Sequence, residues 1–215
     1  MSKDSFASRL VAAAFELAGQ QGWRRVSVAA AARHGGLDLA KAREQFACTG
    51  MILARFGRDA DMHALHGAMT EGVVRDRLFD IVMRRIDFLQ QHRDGVVALM
   101  RYAPSDPMLA VWLARANLAS MGWMLEGAGV SARGVRGALR KRGLLAVWAW
   151  TLRAWLRDDS VDLAATMAAL DNALMRADQV ATQFSGTRSE SAESMVGTEP
   201  DAPFTPDAEN PDRPG

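Results

Sequence analysis

The chain has 215 residues, of which 49% are hydrophobic and 24% charged, which is enough for one compact domain or two small ones with a real core. Its single cysteine, Cys48, excludes an internal disulfide framework and is typical of a reducing compartment. No stretch reaches the roughly 18 uninterrupted apolar residues that a bilayer span needs, and no apolar run follows a basic start, so we expect a cytoplasmic protein.

The net charge of +1 is unevenly distributed. Positions 186–215 hold two basic and seven acidic residues, which leaves 24 basic and 18 acidic residues for the rest of the chain. A basic body suits a protein that binds polyanions, although arginine-rich chains from GC-rich genomes show the same excess. The tail is rich in Ser, Glu, Asp, Pro and Gly, and this composition predicts disorder over residues 185–215.

The N-terminal quarter of the chain has the pattern of three short helices with a tight turn before the third. An apolar helix over residues 6–18 ends at glycines. Ser27 is placed to cap a second helix over 28–33, and Asp38 to cap a third helix that ends near Phe46. This is the pattern of a helix-turn-helix, a unit that holds one helix against the major groove of DNA.

The rest of the body is also predicted to be helical. It contains good helix formers, no proline before Pro104 and no convincing period-two pattern, so we expect an all-α protein. Glu71 with Arg75 and Asp80 with Arg84 stand four residues apart, acid first, and predict ion pairs on a helix surface. The expected helices cover approximately residues 51–66, 70–89, 93–102, 107–125, 135–156 and 161–182, with Thr70, Asp106 and Ser160 as N-caps.

The arrangement resembles the TetR family, which implies an N-terminal DNA-binding unit (residues 1–50), a helical ligand-binding and dimerisation domain (51–184) and here a disordered acidic tail (185–215). Two positions depart from the family pattern: Arg43 stands in place of a phosphate-contacting tyrosine, and Thr49 in place of a lysine. The resemblance depends on Ala12-Ala13-x-x-x-Leu17, Gly22-Trp23, Ser27-Val28-x-x-x-Ala32, Gly36-Leu37-Asp38, Phe46 and Ile52-Leu53.

Other segments are similar to the accessory family of ubiquinone (coenzyme Q) biosynthesis, which shares the TetR fold. That similarity implies a protein that binds lipid or isoprenoid, contacts the membrane surface and does not act as a repressor. Gly127-Ala128-Gly129 departs from it, because that family tends to have an acidic residue after glycine. The similar segments are Gly22-Trp23, Gly36-Leu37-Asp38, Val74-Arg75-Asp76-Arg77-Leu78, Lys141-Arg142, the stretch from Thr151 to Ser160, Thr166 and Leu170-Asp171.

The third helix carries the residues that we expect to contact DNA. With Leu37 and Phe46 facing inward, Lys41, Arg43 and Gln45 project outward, where Lys and Arg suit phosphates or guanine edges and Gln suits adenine. The alternative is a solvated polar face. Ser27, Thr49 and Arg24 are further candidates for phosphate contacts near the helix ends.

Two sets of residues are candidates in the larger domain. Methionine and tryptophan side chains suit an apolar ligand pocket, although at helical spacing they are more often ordinary core. The last two helices carry apolar stripes that could form a four-helix interface in a twofold homodimer. The pocket candidates are Met100, Met108, Trp112, Met121 and Trp123, and the interface candidates are Trp148, Trp155, Met167, Leu170 and Leu174.

The sequence shows no catalytic set, so we do not expect an enzyme. His63, His66 and His92 lack carboxylates at ligand spacing, and neither a metal nor a cofactor is expected. The basic run from Arg133 to Arg142 is a solvated face or, in a lipid carrier, a site for anionic headgroups. We therefore expect a homodimeric regulator of the repressor type that releases double-stranded DNA when an apolar small molecule binds; the alternative is a ubiquinone-biosynthesis lipid carrier that no longer binds DNA.

Overall fold

The computed structural model describes residues 3–179, and every regular element in this range is helical, which confirms the all-α prediction. None of these helices is long and apolar enough to cross a membrane. The predicted disordered tail lies outside the described residues. The helices are α1 Lys3–Gln21, α2 Val28–His34, α3 Leu39–Gln45, α4 Thr49–Leu65, α5 Val74–Gln90, α6 Arg93–Tyr102, α7 Pro107–Gly127 and α8 Gly134–Trp155, followed by α9 over residues 164–179.

Helices α1, α2 and α3 form the predicted helix-turn-helix. Ser27 Oγ accepts a hydrogen bond from the Ala30 amide at 3.1 Å, and Asp38 Oδ1 accepts one from the Lys41 amide at 2.8 Å. Both predicted N-caps are therefore confirmed. Between the two helices, Gly36 has a φ of 59°, a left-handed conformation that favours glycine.

The N-terminal unit packs tightly on the larger part of the chain through α1 and α6. A Cβ atom at Gly95 of α6 would overlap with the backbone of Phe15 in α1, so the two helix axes approach as closely as glycine allows. The described residues 3–178, which come from both predicted parts, thus belong to one compact unit.

An aromatic cluster fills the junction between α1, α4 and α5. The rings of Phe15 and Phe56 stack with centroids 3.8 Å apart, and Phe88 tilts against Phe56 at 5.2 Å. His92 lies beside all three rings. Burial lowers the pKa of His92, although the charge of Glu16 opposes the shift.

Helix α8 packs on the larger part through one face. Trp155 is fully buried, and its indole Nε1 donates to Gln90 Oε1 at 2.8 Å. The Arg93 guanidinium stacks over the same ring at 4.8 Å and donates to the Asp158 carbonyl at 2.9 Å. These contacts join the end of α8 to the α5–α6 corner.

The start of α5 differs from the prediction. The helix begins at Val74 and not at Thr70, because Gly72 has a φ of 88° and interrupts the helical path. Glu71 precedes the helix, and Arg75 instead lies 3.7 Å from Asp76. The other predicted pair, Asp80 with Arg84, is confirmed at 3.0 Å.

The predicted N-cap of the last helix is also wrong. Helix α9 begins at position 164, and Ser160 does not cap it. The Asp158 carboxylate instead accepts from the Thr166 amide at 2.8 Å and from the Thr166 hydroxyl at 2.7 Å. It also accepts from the amide and the hydroxyl of Ser160. These hydrogen bonds hold the pKa of Asp158 well below its usual range.

Candidate DNA-binding surface and ligand cavity

Helix α3 presents a polar outer face and an apolar inner face. Ala42 is 1% exposed and, together with Leu37 and Phe46, anchors the helix in the N-terminal core. Lys41 and Arg43 are exposed, and Gln45 is partly buried at the C-terminal end. The inner anchors therefore hold a short helix whose exposed charged side chains are two cations, Lys41 and Arg43, and one acid, Glu44, with the Gln45 amide partly exposed. We call Lys41, Arg43 and Gln45 the α3 face.

The other candidate phosphate contacts lie on neighbouring elements. Arg24 is exposed in the short 3-10 helix Trp23–Arg25, and Ser27 is exposed at the start of α2. The Ser27 oxygen already serves as a helix cap, but its hydroxyl proton is free to donate. Thr49 is the first residue of α4 and is partly buried.

The charge of the N-terminal unit is positive, but two acidic residues lie at α3: Asp38 before its first turn and the exposed Glu44 near its end. Positions 3–50 contain seven basic and four acidic residues. Asp38 is one of the acids, and its carboxylate occupies the N-terminus of α3, where an uncapped helix would offer amide groups to a phosphate. Phosphate contacts at this helix therefore depend on side chains and not on its N-terminal amides.

The larger part of the chain contains a cavity of about 320 Å³. Its walls are mostly apolar and come from α4 to α8, including Leu53 and Phe56 of α4, Leu89 of α5, Leu99 of α6 and Leu152 of α8. Small-molecule sites span about 300–1,000 Å³, so this cavity is at the lower end of the range.

A buried ion pair interrupts the apolar wall. Asp61 Oδ1 of α4 lies 2.9 Å from Arg85 Nη1 of α5. Asp61 Oδ2 accepts from the Ser120 hydroxyl at 2.6 Å, and Asn117 Oδ1 lies 3.4 Å from Arg85 Nη2. The guanidinium also stacks over the Trp148 ring at 4.8 Å. The polar side of the cavity is thus a network that joins α4, α5 and α7.

The network leaves two polar atoms unsatisfied. Asp61 Oδ1 is close to Arg85 Nη1 but is not aligned for a hydrogen bond, and Arg85 Nε has no hydrogen-bond partner among the described residues. Burial raises the pKa of Asp61, against the opposing effects of Arg85 and the Ser120 hydroxyl. Burial also lowers the pKa of Arg85, although Asp61 opposes this and arginine stays protonated.

The predicted pocket residues divide into two groups. Met100, Trp112 and Trp123 line the cavity. Met108 is 80% exposed at the start of α7, and Met121 is fully buried in the core; neither lines the cavity. Periodicity shows that α7 is apolar on most sides, but it does not show which side faces the cavity.

Sequence reasoning did not find the polar groups of the cavity. The one signal was the position of Arg85, which interrupts the apolar stripe formed by Ile81, Val82, Ile86 and Leu89. A cation at such a position needs a buried partner. The sequence does not identify Asp61 as that partner, because the two residues lie on different helices and meet only in the folded chain.

Four of the five predicted interface residues are buried within one protomer. Trp148, Trp155, Leu170 and Leu174 are each at most 4% exposed, whereas Met167 is 36% exposed. The four buried side chains hold α8 and α9 in the core. They could affect an interface only indirectly, by fixing the positions of these two helices. The outward faces of these helices carry Trp150, 55% exposed, and Met175, 39% exposed.

Comparison with known proteins supports the fold. No model of a protein family matches the chain, and no functionally described protein matches its sequence. A TetR transcriptional regulator from Nitrosomonas europaea ATCC 19718 superposes with a TM-score of 0.67 at 20% identity, over 82% of this chain and 99% of that one. A TetR-family regulator from Streptomyces coelicolor superposes with a TM-score of 0.62 at 20% identity, over 95% and 94%.

These similarities show that the chain has the fold of TetR-type regulators. A transcriptional regulator from Rhodococcus sp. Rha1 has the same fold, with a TM-score of 0.53 at 20% identity. The comparisons do not show the predicted similarity to the ubiquinone-biosynthesis accessory family. At this level of identity the function has to be argued from the residues of the chain itself.

Proposed function

We propose that the protein is a cytoplasmic DNA-binding transcriptional regulator of the TetR type. The observation that carries this proposal is the α3 face: Lys41 and Arg43 are exposed on a short helix that Leu37, Ala42 and Phe46 anchor from within. A helix-turn-helix places such a helix in the major groove, where cations contact phosphates or guanine and Gln45 is suited to adenine.

The second part of the proposal is that a small molecule in the cavity controls DNA binding. Helix α4 begins at Thr49, close after the end of α3, and seven of its residues between Leu53 and Asp61 line the cavity. A ligand that displaces α4 therefore moves the α3 face. A repressor would release its operator when the two recognition helices of a dimer no longer fit successive major grooves, about 34 Å apart.

Such a regulator needs a twofold dimer, and we propose that the outward faces of α8 and α9 form it. Trp150, Met167 and Met175 are large apolar side chains on those faces, with exposures of 55%, 36% and 39%. Exposed aromatic and methionine side chains are typical of interface centres. Sedimentation of the full chain tests this part, because Trp150→Glu should produce monomers.

The decisive experiment is fluorescence-anisotropy binding of the full chain to the DNA upstream of its own gene, over a salt series. We expect sequence-selective binding that weakens steeply with salt, because phosphate contacts release counterions. Absence of selective binding even at low salt would refute the regulator, and the purified protein would then be extracted for bound isoprenoid or lipid, as the carrier alternative requires.

A matched pair of charge reversals locates the DNA surface. Arg43→Glu should abolish binding without loss of the helical circular-dichroism signal. Arg115→Glu changes the charge equally at an exposed position of α7, outside the helix-turn-helix, and should leave the affinity within about two-fold. Equal affinity of the Arg43 variant and the wild type would show that the α3 face does not contact DNA.

A further inference from the structure

The charged residues around the cavity leave one positive charge uncompensated. Three charged side chains line it, the cations Arg58 and Arg85 and the anion Asp61, so the lining has a net charge of +1. Asp61 lies 2.9 Å from Arg85, and these two charges offset each other. No ion pair joins Arg58 to another of residues 3–179, which the structure describes. The uncompensated charge is therefore that of Arg58.

Arg58 lies at the mouth of the cavity. The exposed residues of the lining are Arg58 of α4 and Ala119 and Trp123 of α7, and they mark where the cavity opens to solvent. Deeper in the cavity, Leu89 of α5 and Leu99 of α6 are 5% and 4% exposed. A molecule that enters between α4 and α7 thus meets a guanidinium at the entrance and apolar walls inside.

The position of this charge restricts the class of ligand. A carboxylate at the entrance keeps part of its hydration beside Arg58, whereas among the deeper walls it would lose that hydration. Phe56, Leu99 and Trp112 offer apolar surface to the rest of the molecule. The volume of about 320 Å³ suits a compact ring system and not a long isoprenoid chain. Shape and charge therefore agree on a compact apolar body with one anionic end.

We infer that the cavity binds a compact apolar carboxylate, whose ring system lies among the inner walls and whose carboxylate pairs with Arg58 at the mouth. The inference rests on the proposed role of the cavity as a ligand site and adds the chemical class of its ligand. Arg58 belongs to α4, so the ion pair connects the ligand directly to the helix that follows the α3 face.

Three probes of similar shape test the inference on the full chain: 2-naphthoate, 2-naphthamide and 2-methylnaphthalene, titrated by ligand-observed NMR at low salt. We expect 2-naphthoate to bind about three-fold or more tightly than either neutral probe, because an ion pair at an exposed arginine contributes up to about five-fold. A smaller difference, or tighter binding of either neutral probe, would overturn the inference. So would the absence of binding by all three probes.

A matched pair of variants tests the position of the carboxylate. Arg58→Gln should bind 2-naphthoate no more tightly than 2-naphthamide, while its affinity for 2-naphthamide stays within about two-fold of the wild type. Arg115→Gln removes the same charge from an exposed position of α7 that does not line the cavity, and it should leave the order of the probes unchanged. An unchanged preference in the Arg58 variant, or an equal loss in both variants, would overturn the assignment to Arg58.

A third variant tests whether the probes occupy the cavity at all. Gly57 lines the cavity, and a Cβ atom there would have no neighbour within 4 Å. Gly57→Leu therefore fills part of the cavity without a clash at Cβ, and leucine is a better helix former than glycine. This variant should keep its helical circular-dichroism signal and bind all three probes more weakly. Unchanged affinity would place the probes outside the cavity and overturn the inference.

The probe titration contains no DNA, so its outcome is separable from that of the regulator. If the probes bind in the expected order and no DNA is bound, the ligand inference holds and the regulator fails. If DNA is bound selectively and no probe binds, the regulator holds and the ligand inference fails. If a variant does not fold, the order of the three probes on the wild-type chain still decides the inference.

Discussion

Gly95→Ala should destabilise the protein, because the added methyl group has no space between α6 and α1. The new Cβ would overlap with the backbone of Phe15, which cannot rotate away as a side chain does. Overpacking of this kind costs about 1–3 kcal/mol, and alanine in a helix recovers about 1 kcal/mol relative to glycine. We therefore expect a net loss of up to about 2 kcal/mol in the free energy of unfolding, or a decrease of up to about 8 °C in Tm.

Gly143→Ala is the matched control for this prediction. Gly143 also lies within a helix, α8, but a Cβ there would have no neighbour within 4 Å. The same substitution should therefore stabilise the protein by about 0.5–1 kcal/mol through helix propensity alone. Urea denaturation followed by circular dichroism measures both changes. An equal gain in stability at the two positions would refute the close approach of α1 and α6.

Three further predictions concern the ionisable residues His92, Asp158 and Asp38. Because burial lowers the pKa of His92 in the folded chain, stability should decrease as the pH falls through the unfolded value of about 6.5, and His92→Phe should flatten that decrease in urea titrations. Asp158 has a pKa below its usual range, so the stability that it contributes should be present above about pH 4 and decrease in stronger acid. Asp158→Asn should remove this acid dependence and increase hydrogen exchange in α9; unchanged exchange would contradict its role as a cap. Asp38→Ser keeps a cap on α3 but removes a negative charge from its N-terminus, so DNA affinity should increase several-fold in the anisotropy assay, and an equal or lower affinity would contradict the proposed orientation of α3.

Local signals in the sequence predicted most of the helices. Ser27, Asp38 and Asp106 each cap a helix within three residues of their own position, so a short window of sequence contains both partners of the hydrogen bond. Helix α6 has the predicted bounds, Arg93–Tyr102. The two wrong caps have different causes: Gly72 delays α5 by its backbone conformation, and Asp158 reaches α9 from eight positions upstream.

The site was less predictable than the fold, because burial depends on tertiary packing. The periodicity of α8 predicted a wide apolar face. It could not show that Trp148 lies on the inner side of that face and Trp150 on the outer side. On α3 the polar positions were predictable, since Ala42 and its apolar neighbours define the inner side of a short helix. The Asp61–Arg85 pair joins positions 24 residues apart on separate helices, and no local pattern contains both.

The position of that ion pair is difficult to explain by stability alone. Replacing a buried ion pair with well-packed apolar residues is often neutral or stabilising by about 1–4 kcal/mol, because desolvation offsets the attraction between the charges. Asp61 and Arg85 also leave two polar atoms unsatisfied, which adds to their cost. Both residues line the cavity, on α4 and on the helix packed against it. Under the proposed function, a ligand that bound one placement of α4 against α5 more tightly than another would shift the α3 face by that difference in binding free energy.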